Sequence, residues 1–153
     1  MRALGIDAGA KRIGLALSDP SGTLASPWRT IRACGSIGAD TAAITALVAE
    51  LGRDSSAEPV STIVVGLPLR LDGSPTDQTP RVRALAAALE AATGLAIALQ
   101  DERLTSREAE SRLAIREKDW RRRKEKLDAA AAAVILQDYL DWLAQVRSTT
   151  SEG

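Results

Sequence analysis

The sequence predicts one α/β domain, a mixed β-sheet whose strands are joined by helical crossovers. Two observations predict it. Short apolar runs of strand length recur at residues 2–6, 13–17, 61–65 and 95–99, too short for helices. Between and after them lie longer segments with apolar residues at helical spacing, giving the order β-β-β-α-β-α-β-α-α. No internal repeat or composition break divides the chain, so residues 1–147 are expected to form a single domain and residues 148–153 a disordered tail.

Each element has a local reason. Asp19-Pro20-Ser21-Gly22 is a turn signal, so residues 13–17 and 23–31 should form a hairpin. A helix then carries Ile44, Leu47, Val48 and Leu51 on one face and closes at Gly52. Ser61-Thr62-Ile63-Val64-Val65 is continuous and β-branched from Thr62 on, as expected of a strand buried on both faces. The loop at residues 66–80, with Pro68, Gly73 and Pro75, is long for a compact domain, which suggests a task. An alanine-rich helix over 81–93 stops at Gly94, and a strand over 95–99 leads into Gln100-Asp101-Glu102-Arg103. Thr105 or Ser106 should cap a helix to about residue 115, and a last helix should span 127–146.

Composition narrows the chemistry. There is no histidine and one cysteine, Cys34, which excludes Ser-His-Asp and Cys-His catalysis, an internal disulfide and a structural zinc site. A metal would be held by oxygen alone, which points to Mg²⁺ or Mn²⁺. No run has the roughly 18 apolar residues of a membrane helix, and no signal peptide opens the chain, so a cytoplasmic location without a membrane partner is expected. Net charge is zero, but residues 116–126 hold seven cations against three acids, a local +4 offset by −4 elsewhere. That basic element suits a nucleic-acid backbone.

The candidate site follows from strand direction. Right-handed crossovers make the strands at 2–6, 61–65 and 95–99 parallel, so their C-terminal ends share one edge, where ligands of open α/β sheets bind. Asp7 ends the first of these strands, and Asp101-Glu102 ends the last. In the final helix Ala132, Ile135, Tyr139 and Trp142 make an apolar stripe, and one step of four back from Ala132 lands on Asp128. A carboxylate on a core-facing stripe is costly unless paired or metal-bound; in the first helical turn the macrodipole would also favour it. Lys11, Arg12 and Arg103 stand beside these acids and suit phosphates, and solvated strand-end cations would look the same.

Four motifs together resemble the YqgF (RuvX) family. They are Leu4-Gly5-Ile6-Asp7-Ala8-Gly9-Ala10-Lys11-Arg12-Ile13-Gly14 with Ser18-Asp19, Val64-Val65-Gly66-Leu67-Pro68-Leu69 with Asp72-Gly73, Asp101-Glu102-Arg103-Leu104-Thr105, and Lys126-Leu127-Asp128-Ala129-Ala130 leading to Ile135-Leu136-Gln137-Asp138-Tyr139-Leu140. They run in order over residues 2 to about 140; Pro75-Thr76-Asp77 departs from the family's loop. The resemblance implies an RNase H-like mixed β-sheet with helices on both faces and a metal-dependent nuclease. The family is proposed to trim the 5′ end of the 16S ribosomal RNA precursor and is also described as a Holliday junction resolvase. By matching positions, Asp7, Glu102 and Asp128 would be the acidic triad.

Three carboxylates supply a charge of about −3, enough for two divalent ions about 4 Å apart that would activate a water and stabilise the leaving oxygen. Arg121, Arg122, Arg123 and Lys124 would grip the backbone of pre-rRNA or branched DNA, with Trp120 stacking on a base or packing inward. Two other readings compete. A sugar-kinase-like ATPase shares the strand–Asp-x-Gly–strand opening but needs two domains, and a catalytically silent nucleic-acid-binding module would have little use for three acids. Either a monomer or a homodimer is compatible with the sequence.

Overall fold

The computed structural model describes the backbone of residues 2–53, 58–101 and 120–152, with side chains except at 120–126 and 149–152. Five strands, β1 (Arg2–Ala8), β2 (Arg12–Ser18), β3 (Ala25–Arg32), β4 (Val60–Leu67) and β5 (Ala96–Asp101), form one sheet in the order β3-β2-β1-β4-β5. β1, β4 and β5 are mutually parallel, and β2 and β3 are antiparallel neighbours on the β1 side. Helices α1 (Ile37–Gly52) and α2 (Thr79–Thr93) cover one face, and α3 (Trp120–Glu152) covers the other.

The period-2 alternation of the strands sorts side chains between these layers. Leu4, Ile6, Ile13, Leu15, Ile63 and Val65 are fully buried against Ile44 of α1 and Val82, Leu85 and Leu89 of α2. Ala3, Ala16 and Val64 turn the other way and meet Ala132, Ile135, Leu136 and Leu140 of α3. Burial on both faces is why β1, β2 and β4 read as near-continuous apolar runs rather than as alternating ones.

The α3 face is built from small residues, and this lets the helix backbone settle onto the sheet. A Cβ added at Gly5 would lie 2.7 Å from Leu136 Cβ and 2.9 Å from the Ala132 carbonyl oxygen. At Gly14 it would lie 2.0 Å from the Asp128 carbonyl oxygen. The helix therefore rests on glycines at Asp128, Ala132 and Leu136, positions four apart on one of its faces.

Several element boundaries differ from the sequence expectation. β3 begins at Ala25 because Thr23 and Leu24 belong to the turn, where their amides donate to Asp19 Oδ1 at 2.8 Å each. Gly52 lies within α1, which is capped by Arg53 in a right-handed conformation, so no left-handed glycine ends it. α2 starts two residues earlier than expected, with a proline in its first turn, and does stop at Gly94 with φ 71°. The segment before α2 is tied down: Arg70 N donates to Ser74 O at 2.9 Å, and Thr79 Oγ1 to Pro68 O at 2.5 Å.

α3 departs most from expectation. It begins at Trp120 rather than 127 and continues to Glu152, beyond the expected end at 146 and into the segment read as a disordered tail. Its buried stripe also differs. Ala132 and Ile135 are buried as expected, but Leu136 and Leu140 continue the seam, while Trp142 is 54% exposed and stacks its ring 6.0 Å from Tyr139. The expected helix at 105–115 lies outside the described residues.

Candidate active site

Asp7 is the last residue of β1 directed at the α3 face, in step with Ala3 and Gly5. Its register partner across the β1–β2 ladder is Gly14, the glycine on which the Asp128 backbone rests. Antiparallel partners share a face with Cα atoms about 4.5–5.5 Å apart. Asp7 and Asp128, far apart along the chain, are thus neighbours at one end of the sheet. Both side chains are partly buried.

Arg12 completes the junction. Being two residues before Gly14 on β2, it shares the α3 face, and its Nε donates to Asp128 Oδ2 at 2.8 Å. The two side chains are 33% and 27% exposed, so this charge-assisted bond is partly shielded from water. Asp128 does not lie in a first helical turn, because α3 starts eight residues earlier. The macrodipole argument for an acid at this position therefore falls away, since the effect fades beyond the terminal turn; Arg12 provides the charge compensation instead.

Asp101 ends β5 opposite Leu67 in the β4–β5 register, and Leu67 packs with α2. Asp101 accordingly sits on the α1/α2 face, away from the side that Asp7 and Asp128 share. Glu102 and Arg103 lie outside the described residues, as do the side chains of Arg121, Arg122, Arg123 and Lys124, whose backbone forms the first turns of α3. Among the described residues, no group of three carboxylate, thiol or imidazole side chains is placed to hold a metal ion. Two carboxylates are in place, and Arg12 occupies one oxygen of Asp128. A carboxylate has several acceptor lone pairs, so Oδ1 of Asp128 keeps the capacity to bind a hard cation. The donor set fits an oxygen-bound divalent ion that takes a third acid from elsewhere.

Two cations unforeseen in the sequence adjoin the site. Arg81, in the first turns of α2, donates through Nη2 to the Ala8 carbonyl at 2.8 Å and holds the end of β1 beside Asp7. Arg32 is the register partner of Arg12 across the β2–β3 ladder. Neither residue carries a sequence signal, because their relevance depends on long-range pairing. Lys11 is exposed in the β1–β2 turn, where its carbonyl accepts from Ala33 N at 2.9 Å. The Asp19 carboxyl is lowered to about 2 by hydrogen bonds from Ser21, Leu24 and Thr23. It lies at the β2–β3 turn, the opposite end of β2 from Arg12, and takes no part in the site.

Among the described residues, no helix is long and apolar enough to cross a membrane. Residues 1–142 match the family model described as RuvX: Holliday junction resolvase. A relative from Moorella thermoacetica bearing the name "Putative pre-16S rRNA nuclease" is 43% identical over 145 residues, covering 95% of this chain and 98% of its own. A relative of the same name from Anaeromyxobacter dehalogenans (strain 2CP-1 / ATCC BAA-258) is 45% identical over 142 residues, covering 92% of this chain and 97% of its own. Among solved structures, Thermus thermophilus RuvC in complex with a Holliday junction substrate aligns with a TM-score of 0.51 at 16% identity, over 92% of this chain and 94% of that one. That likeness concerns the fold, the mixed sheet covered by helices that the RNase H-like expectation describes. The extent of the family match and the identities over nearly full length lead to one conclusion: the chain belongs to the RuvX family.

Proposed function

We propose that the protein is a divalent-metal-dependent nuclease that hydrolyses phosphodiester bonds, acting on the 5′ end of the 16S ribosomal RNA precursor. The observation that carries this reading is the meeting of Asp7 and Asp128 on one sheet face through Gly14. The relatives' shared name supports the RNA substrate. Asp7, Glu102 and Asp128 would hold the ion, Mg²⁺ or Mn²⁺, which supplies an acidified water and charge neutralisation at the phosphate. Glu102 directly follows Asp101 in the sequence, and the motif it shares with the family supports its place in the acid set.

The chain's own groups do the positioning. Arg12 fixes the Asp128 carboxylate by its 2.8 Å bond, and Arg81 fixes the β1 end that carries Asp7. With no histidine in the chain, proton transfer at the attacking water falls to carboxylates and solvent. The basic start of α3, with Arg121, Arg122, Arg123 and Lys124, supports backbone binding next to Asp128, and Arg103 next to Glu102. A cytoplasmic site of action accords with that substrate.

The test compares cleavage of a 5′-extended 16S precursor RNA and of a four-way DNA junction, with Mg²⁺ or Mn²⁺, by wild type and Asp7→Asn. Trimming of the RNA should fall in Asp7→Asn by at least the roughly 100-fold that losing even an outer-shell partner of a metal can cost. Cleavage of the junction alone would favour the resolvase named by the family model. Equal activity of wild type and variant would reject catalysis by this site.

A further inference from the structure

We infer that the cleft flanking the β2–β3 hairpin is the bed for the substrate's phosphodiester backbone, with Arg32 as a phosphate-contacting residue. The inference rests on the nuclease reading and extends it to a residue outside every motif discussed above. The cleft has a volume of ≈740 Å³, and among the described residues its charged lining consists of Lys11, Arg12 and Arg32. Among the described residues, no acidic side chain lines it. The nearby acid of α1, Asp40, is buried and accepts from Cys34 N at 2.6 Å.

Arg12 and Arg32 are direct register partners in an antiparallel ladder. Like charges placed opposite one another in this way are destabilising. Asp128 offsets Arg12, yet among the described residues neither the Arg32 guanidinium nor Lys11 Nζ has a hydrogen-bonding or ionic partner. A cation on β3 would protect this edge strand from pairing with other chains, but edge protection does not call for three cations converging on one concave surface. A polyanion laid along the cleft resolves the repulsion, and because Arg12 bridges to Asp128 the cleft leads directly to the two carboxylates. A guanidinium offers a planar fork suited to phosphate oxygens.

The test is fluorescence anisotropy with a labelled RNA hairpin, in Ca²⁺ to suppress turnover, across salt from about 50 to about 200 mM. Arg32→Gln should lower the slope of log K against log salt by about 0.7–0.9, so its affinity deficit shrinks about threefold over that range. Arg32→Lys should keep the slope. Arg83→Gln removes the same charge from exposed α2 on the other face and should also leave it unchanged. An unaltered slope in Arg32→Gln, or an equal loss in Arg83→Gln, would overturn the assignment, as would a wild type that binds no RNA. A slope that depends on Arg32 in a protein that cleaves nothing with Mg²⁺ or Mn²⁺ would keep the cleft and discard the nuclease reading.

Discussion

Arg12 on β2 reaches Asp128 in the third turn of α3, Nε to Oδ2 at 2.8 Å, and pins the helix to the sheet end that carries Asp7. The bond joins residues 116 apart in sequence, so the geometry of the candidate site depends on how α3 docks. Removing it by Arg12→Gln should cost about 0.5–1 kcal/mol in denaturant unfolding, modest because both groups are partly exposed. The cleavage rate should drop as Asp128 loses its orientation. Arg12→Lys should restore little activity, since an ammonium lacks the planar fork.

Gly14 is the tightest point of that docking. With the Asp128 carbonyl 2.0 Å from where a Cβ would stand, Gly14→Ala forces the helix off the strand. The expected loss is about 1–3 kcal/mol or more, together with weaker metal binding. Gly38→Ala, in α1 with nothing within 4 Å, should be stabilising by about 0.4–1 kcal/mol. Thermal unfolding of the pair measures both signs.

Gln137 is a second clamp between α3 and the hairpin. Its Oε1 accepts from Ala25 N at 2.9 Å, and its Nε2 donates to Thr23 O at 3.0 Å. Gln137→Ala should cost about 1–2 kcal/mol and speed hydrogen exchange at the Ala25 amide.

Asp19 sets an acid limit on the β2–β3 turn. Its pKa is held near 2 by donors at Ser21, Leu24 and Thr23. A carboxyl depressed in the folded state stabilises fully above its unfolded value, near 3.9, and that contribution fades as pH falls toward 2. Asp19→Asn should flatten this part of the stability–pH curve, and an NMR titration of the wild type should place the carboxyl near 2.

Much of the sheet was legible because double burial leaves continuous apolar runs at β1, β2 and β4. Asp7 could be singled out because it ends such a run, and Asp128 because it lies four residues before Ala132. The seam of α3 was legible in part: Tyr139 does pack against it, but Leu136 and Leu140 escaped and Trp142 is exposed, because 3.6 residues per turn allows more than one continuation after Ile135 and the contact of Gly5 with Leu136 decides between them. The early start of α3 was hidden by a charged stretch without apolar periodicity. Arg32 and Arg81 were invisible because ladder register and helix docking bring them to the site, and neither is local.

The measurement that bears most directly on this account is Mn²⁺ binding, followed by electron paramagnetic resonance, to wild type, Asp7→Asn, Glu102→Gln and Asp128→Asn. Each substitution should weaken binding by about tenfold or more while the folded fraction stays high. Binding that is unchanged when Asp128 is replaced would contradict a shared metal site at the β1–α3 junction.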